Sequence, residues 1–562
     1  MLDEKFLMSD KNNLSDKNDD SRIITHPGGK IQVLVEVKKP KTLVVASSAD
    51  VPKLQVEGLE IDPEYIPIPV TPTDKEKVNM SVDTEDIVCV CGKVEKNKIK
   101  ELESQPNVLR VWKDTKVDFF KKKNDTEFVH VSAQPTAVCP IPPCDCQPGV
   151  PKGTIDDVAD YLGVKSIWSK GHKGKDIVVG VVDGGITAEG RPIKAADTSN
   201  PSWSNKLVKN VIDGPDNDWG TTGVGWGWHG NMSATDVLGM APEAKIYDIR
   251  ISGDALSNAL SGFQWAINRH RQDGTPHILT NSWGYFQKSW DPDYTTDPDH
   301  PFTRKVLEAI NEGIIILFAA GNCGATCPDG RCDNDTGTGK SIWGANGHEQ
   351  VITVAAASKE EKYIGYSSVG PAALHDKKPD ITSISHFTGY FNSDSGTSAA
   401  TPIAAGVVAL LKQAEPNLTQ DQAKSALMDT AKDIGPLGWD IYTGAGIIQA
   451  KAAYDKITTG VIPPIPKPDD GKKCFIATAA YGSEMAPTVQ FLREFRDDVV
   501  LKSRFKRGFE NILGVYYSFS PSIAELMKRN KAFKYTLKYT VVWPFVALSK
   551  VTAFLIKLLL IK

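Results

Sequence analysis

The sequence has no dominant charge. Its 65 Lys and Arg stand against 69 Asp and Glu, leaving a formal net charge of −4 over 562 residues, with the two signs interspersed. Neither a basic stripe nor an acidic block results, and nucleic acid is excluded as the expected partner. An early apolar run is also missing. Met1 to about Asp20 is polar and charged, so no N-terminal signal peptide is visible and the stretch reads as a disordered tail. Strong paired CxxC spacing is absent too. Of nine cysteines, three cluster at Cys139, Cys144 and Cys146, and three more at Cys323, Cys327 and Cys332. One or two disulfides, and with them an oxidising compartment, fit this better than zinc. Apolar content of 41% is that of an ordinary globular protein, and the length leaves room for several domains.

What is present begins with Ser395-Gly396-Thr397-Ser398-Ala399-Ala400-Thr401-Pro402. A tight Gly-Thr turn runs into a helix whose Ala404, Val407, Val408 and Leu411 share one face. Pro402 is expected in the first turn, where a missing N–H costs little. Ser398 is thereby set beside free backbone N–H groups and the positive end of the helix dipole, a setting suited to a nucleophile whose reaction develops an oxyanion. Taken by itself, an N-capping serine before a core helix is the weightier reading.

Two segments upstream carry the partners that a serine nucleophile needs. The apolar run Ile177 to Val182 reads as a strand buried on both faces of a parallel sheet, ending in Asp183-Gly184-Gly185. Asp183 then lies at the carboxyl end of a strand, where open α/β sheets place their sites. Trp228-His229-Gly230 precedes a short helix-like stretch, Asn231 to Leu238, and the strand-like Lys245 to Ile251. Further strands are expected at His277 to Trp283, Ile314 to Ala320 and Val351 to Ala356, and helices at Leu256 to Arg271 and Thr303 to Asn311. This alternation gives an α/β fold with a parallel sheet and helices on both faces.

The Asp183 segment, His229-Gly230 and Gly396 to Pro402, in that order, resemble the aspartate, histidine and serine boxes of the subtilisin-like serine proteases. The resemblance implies an Asp183–His229–Ser398 triad that hydrolyses peptide bonds through an acyl-enzyme. Gly313 to Asn322 is similar to another element of that family, and implies that Asn322 supplies the side-chain donor of the oxyanion hole. Asn281-Ser282-Trp283-Gly284 resembles the family's substrate-binding strand end, so Ser282, Trp283 and Gly284 are the expected substrate-pairing residues. Two departures stand out. Asn231-Met232 replaces the usual Thr-His pair after the histidine, and Ile251 to Leu256 shortens the glycine-rich loop that forms one cleft wall. They leave a second reading open, a catalytically silent relative that binds peptides or acts as an envelope-interaction module.

The expected organisation is a tail and poorly defined region at 1–75, a small α+β propeptide-like domain at 76–122, a linker with prolines and cysteines at 123–153, the catalytic domain at 154–459, a Pro-rich linker at 460–471, and a mostly helical C-terminal domain at 472–562. Within 76–122, strands are expected at Ile87 to Cys91 and Val108 to Trp112, with a helix at Glu95 to Gln105. This unit resembles the family's propeptide, which implies synthesis as a precursor, with cleavage expected in the stretch Lys121 to Lys152. Beyond the second linker, Cys474 to Ser483, Leu492 to Asp497 and Tyr516 to Pro521 resemble the CFI-box C-terminal domain. Tyr539 to Ile561 is apolar and follows several lysines, which favours membrane contact and a membrane-associated or cell-envelope location. Protein or peptide substrates are the expected partners. No cofactor is required; calcium is possible at Asp329, Asp333 and Asp335, where a solvated acidic loop is the other reading.

Overall fold

The computed structural model describes chiefly residues 21–43, 56–73, 85–120, 137–195 and 206–459, with isolated residues between them and 536–542 beyond. Contacts divide the chain into two units, Met1–Ile462 and Pro463–Lys562. In the second, only a short helical stretch around Lys538–Val542 is described. The CFI-box-like motifs and most of Tyr539 to Ile561 lie outside the described residues. Among the described residues no helix is long and apolar enough to cross a membrane.

The first unit opens with a small antiparallel sheet of β1 (Lys30–Pro40), β2 (Glu60–Ile61), β3 (Ile68–Pro69), β4 (Glu85–Glu95) and β5 (Val108–Lys113). Strand β1 pairs with β4 on one side and β5 on the other. The two strands expected from the sequence therefore flank β1 rather than each other, and residues 30–40, poorly informative as sequence, form the sheet's centre. The helix between β4 and β5 is shorter than expected, a 3-10 turn followed by Ile99–Glu103. Alternation explains the burial of β1. Val33, Val35 and Val37 pack with Val88, Val90, Leu102 and Val108 in the domain's own core. Leu34, on the other face, joins Trp112, Leu256 and Ala259 in a core shared with the larger α/β domain that follows. A sheet with two apolar faces must be covered on both.

After β5 the chain forms the two-residue strand β6 (Asp118–Phe119). The larger α/β domain follows, with strands β7 (Val178–Asp183), β8 (Val211–Asp213), β9 (Lys245–Arg250), β10 (Ile278–Asn281), β11 (Trp283–Gly284), β12 (Ile315–Ala319), β13 (Ile352–Ala357) and β14 (Ile381–Ile384). Seven of these make one sheet in the order β14-β13-β12-β10-β7-β9-β8. Every neighbouring pair is parallel. Val179 and Val181 of β7 face one core, with the helices His229–Met240 and Thr397–Ala414. Val178 and Val182 face the other, with the helices Leu256–Asp273 and Pro301–Asn311. This is the helix-covered parallel sheet that the apolar runs predict.

Three disulfides are present among the described residues: Cys139–Cys144, Cys146–Cys327 and Cys323–Cys332. The second ties the segment before the larger domain to the loop after β12. The third closes that loop on itself.

Candidate active site

Strand β7 delivers Asp183 at its carboxyl end, and Trp228, at φ 59°, turns the chain so that His229 starts its helix. The two side chains meet in the interior: His229 Nδ1 lies 2.8 Å and 2.9 Å from the two carboxylate oxygens of Asp183. The Gly184 N–H and the Ser233 hydroxyl also donate to that carboxylate, at 2.7 Å and 3.0 Å. An imidazole held in this way carries its Nδ1 proton and leaves Nε2 free to accept. His229 Nε2 is buried and has no hydrogen-bond partner among the described residues.

The unusual Asn231 has a clear role in this placement. Its Oδ1 accepts from the Thr187 N–H at 2.8 Å, and its Nδ2 donates to the Thr187 and Tyr390 hydroxyls. It fastens the first turn of the His229 helix to the loop after Asp183. The helix runs twelve residues, His229–Met240, longer than the sequence suggested.

Ser398 is the second residue of the helix Thr397–Ala414. Pro402 consequently falls in the second turn, not the first. It has no N–H for the Ser398 carbonyl four residues earlier, and the Ser282 hydroxyl takes that acceptor instead, at 3.0 Å. The Ser398 hydroxyl in turn donates to the Ser282 carbonyl at 3.1 Å. No hydrogen bond joins Ser398 to His229, although both are fully buried. A hidden chain of side chains braces the turn before Ser398. The Gly396 N–H donates to the Tyr366 hydroxyl at 2.7 Å. That hydroxyl meets His386 Nε2 at 2.7 Å, and His386 Nδ1 meets Asp145 at 3.0 Å.

Asn322 follows β12 and Gly321. Its Oδ1 accepts from both the N–H and the hydroxyl of Thr397, each at 3.0 Å. That fixes the amide, so Nδ2 points into the cleft, where it donates to the backbone carbonyl of Phe120 at 2.7 Å. Gly396, at φ 84°, passes beside this carbonyl; a Cβ there would stand 2.9 Å from the Phe120 oxygen. Only glycine suits both demands.

Phe120 ends a segment laid along the cleft. Strand β6 pairs antiparallel with β11, Phe119 against Trp283 and Asp118 against Gly284. The Phe120 N–H donates to the Ser282 carbonyl at 3.3 Å. On the opposite side, the Val117 N–H donates to Asp254 O at 2.8 Å and the Leu256 N–H to Thr115 O at 3.1 Å. The shortened wall Ile251 to Leu256 therefore still pairs with an extended chain. The Phe120 ring enters a slot beside Gly284 and Gly321, edge-on to Phe286. The Phe119 ring stacks on Trp226 and lies 5.1 Å from the His229 ring.

Both Asp329 oxygens accept from Arg331, and Asp335 accepts from the Lys288 N–H. Among the described residues no three His, Cys, Asp or Glu side chains converge as metal ligands. Phe119, Phe120, Arg331 and the Asp145–His386–Tyr366 chain were not singled out from the sequence. The Phe-Phe doublet directly before Lys121-Lys122-Lys123, where the propeptide-like unit gives way to the linker, was the available signal for the first two.

A seven-stranded parallel sheet of this order, with helices on both faces, an aspartate–histidine pair at its rim and a serine at a helix start beside it, is an α/β architecture of the subtilisin-like kind. Residues 174–446 match the profile of the subtilase family, and this stretch is a subtilisin-like, serine-type endopeptidase domain. The chain is similar to the minor extracellular protease Epr of Bacillus subtilis, 28% identical over 298 residues, covering 52% of this chain and 40% of Epr. It is 29% identical over 343 residues to the serine protease AprX of Bacillus subtilis, covering 53% of this chain and 71% of AprX. To subtilisin DY of Bacillus licheniformis it is 28% identical over 298 residues, covering 51% of this chain and 94% of that protein.

Proposed function

We propose that the chain is a serine endopeptidase made as a precursor that cleaves its own Phe120–Lys121 bond. The observation that carries this reading is the Phe120 carbonyl on the Asn322 amide, at the end of a strand paired to both cleft walls. In the first step the Ser398 hydroxyl rotates from Ser282 O toward His229 Nε2, which accepts its proton. The Ser398 oxygen then bonds to the Phe120 carbonyl carbon, and negative charge gathers on the oxygen facing Asn322. Collapse breaks the bond to the Lys121 nitrogen, which takes the proton from His229 as it leaves. Water, deprotonated by the same imidazole, then releases the acyl group from Ser398. Asp183 holds the imidazole tautomer and stabilises its charged form.

The free, buried His229 Nε2 supports this sequence, since an acceptor without a partner in the interior is costly unless chemistry uses it. The three disulfides support an oxidising compartment. The basic and then apolar tail supports membrane contact, which fractionation with and without residues 472–562 tests.

The second reading is the silent peptide-binding relative, in which Ser398 would keep its bond to Ser282 O. A fluorophosphonate probe separates the two readings. Labelling at Ser398 that is lost in His229→Ala is the expected result; a folded, processed protein that takes no label contradicts the enzyme reading.

A further inference from the structure

Arg331 sits on the loop closed by Cys323–Cys332 and is held from several directions before any substrate meets it. Its Nε and Nη2 form a two-point pair with Asp329, at 2.9 Å and 3.0 Å. Its guanidinium lies 4.0 Å over the Phe286 ring. Its backbone carbonyl accepts from the Gln287 amide at 2.7 Å. What remains is Nη1, with two hydrogens directed into the cleft. One reaches the Phe119 carbonyl at 2.9 Å, and the same nitrogen lies 3.1 Å from an Asp118 carboxylate oxygen.

These two contacts have different consequences. The carbonyl contact serves any extended peptide. The carboxylate contact depends on the side chain three residues before the reacting carbonyl bond, counting Phe120 as the first. Asp118 is also 3.2 Å from Arg22 of the N-terminal domain, but a separate substrate brings no Arg22, so discrimination there falls to Arg331. A pre-oriented guanidinium loses little freedom when it binds a carboxylate. A lysine at that position would be repelled.

We propose that Arg331 selects an acidic side chain at the third position before the cleaved bond, so that peptides reading acidic–aromatic–aromatic are the preferred substrate class. The inference rests on the endopeptidase reading and deepens it. Arg331 is a specificity-determining residue, not part of the proton relay.

The test uses processed full-chain protein and three coumarin-amide peptides, Val-Asp-Phe-Phe, Val-Ala-Phe-Phe and Val-Lys-Phe-Phe. Wild type is expected to cleave the aspartyl peptide over the lysyl peptide by about tenfold or more in kcat/KM, as a charge reversal at a partly buried ion pair allows. In Arg331→Gln the ratio falls toward one, and in Arg331→Glu it inverts, while cleavage of all three peptides also drops through loss of the carbonyl contact. Should these variants fail to fold, the wild-type ratio measured at low and high salt decides, because an electrostatic preference shrinks on screening. Equal cleavage of the aspartyl and lysyl peptides overturns the inference and leaves the endopeptidase reading standing, as does a ratio unchanged in Arg331→Gln or by salt. Failure to cleave any of the three overturns both.

Discussion

Gly284 faces the ring of Phe120 so closely that a Cβ in its place would stand 2.9 Å from Cζ. The absence of a side chain there makes the slot. A Cβ there would also stand 2.9 Å from Asn346 Nδ2, so in Gly284→Val the precursor is expected to stay uncleaved even when Phe120→Ala removes the ring; gel electrophoresis of the two variants reports the outcome. Asp248 illustrates a different constraint. It is buried in β9, accepts from the Gly220 N–H at 2.8 Å, and desolvation pushes its pKa up to about 7. Between its ordinary value and about 7 the folded chain keeps a proton that the unfolded chain has released. Stability therefore falls as pH rises through that window, and the cost stands in full above it. Asp248→Asn keeps an acceptor for Gly220 and is expected to raise the melting temperature by several degrees at pH 8, with little change at pH 4. Residues such as Asp183 and Ser398 were legible because each sits in a local pattern, at a strand end or a helix start. Arg331 was not: its partner Phe119 lies 212 residues away, and nothing local to Cys332 announces what will lie across the cleft.

Buried strands and helices of the catalytic domain followed their sequence patterns closely. Val178–Asp183, Lys245–Arg250 and Ile352–Ala357 fall within a residue or two of the apolar runs that mark them. Strand β1 was visible only as the strand-like run Ile31 to Val37 in a proline-containing region; its place at the centre of the sheet was not, because its pairing with β4 and β5 is long-range. The turn before Ser398 depends on three elements that the sequence does not connect. Asp145 comes from the segment before the domain, Tyr366 from the stretch after β13, and His386 from the end of β14. Tyr366→Phe leaves the Gly396 N–H without its acceptor, at a cost of about 1–3 kcal/mol for a buried group. Slower peptide hydrolysis and a lower melting temperature are expected, with fluorophosphonate labelling and thermal unfolding as the measurements. The disulfide Cys146–Cys327, which spans 181 residues of sequence, pins the same Asp145 segment to the loop after β12; because this segment follows Phe120 in the chain, the proposed cleavage would leave the brace in place.

At the scale of the whole first unit, the N-terminal sheet is docked by buried charge as well as by apolar surface. Arg304 of the catalytic domain pairs with Glu36 of β1 and, at 3.1 Å, with Glu76, while the Thr115 hydroxyl donates to Asp291 at 2.7 Å. These contacts hold the sheet from which 115–120 extends, and the Thr115 contact fixes where that stretch begins. The central claim, that Ser398 cuts the chain after Phe120, is tested most directly by intact-mass spectrometry and N-terminal sequencing of the purified wild type beside Ser398→Ala. A wild-type fragment ending at Phe120, with a partner beginning at Lys121, and an uncut Ser398→Ala chain are the expected results. A wild type that remains whole or is cut elsewhere, or the same cut in Ser398→Ala, contradicts the claim.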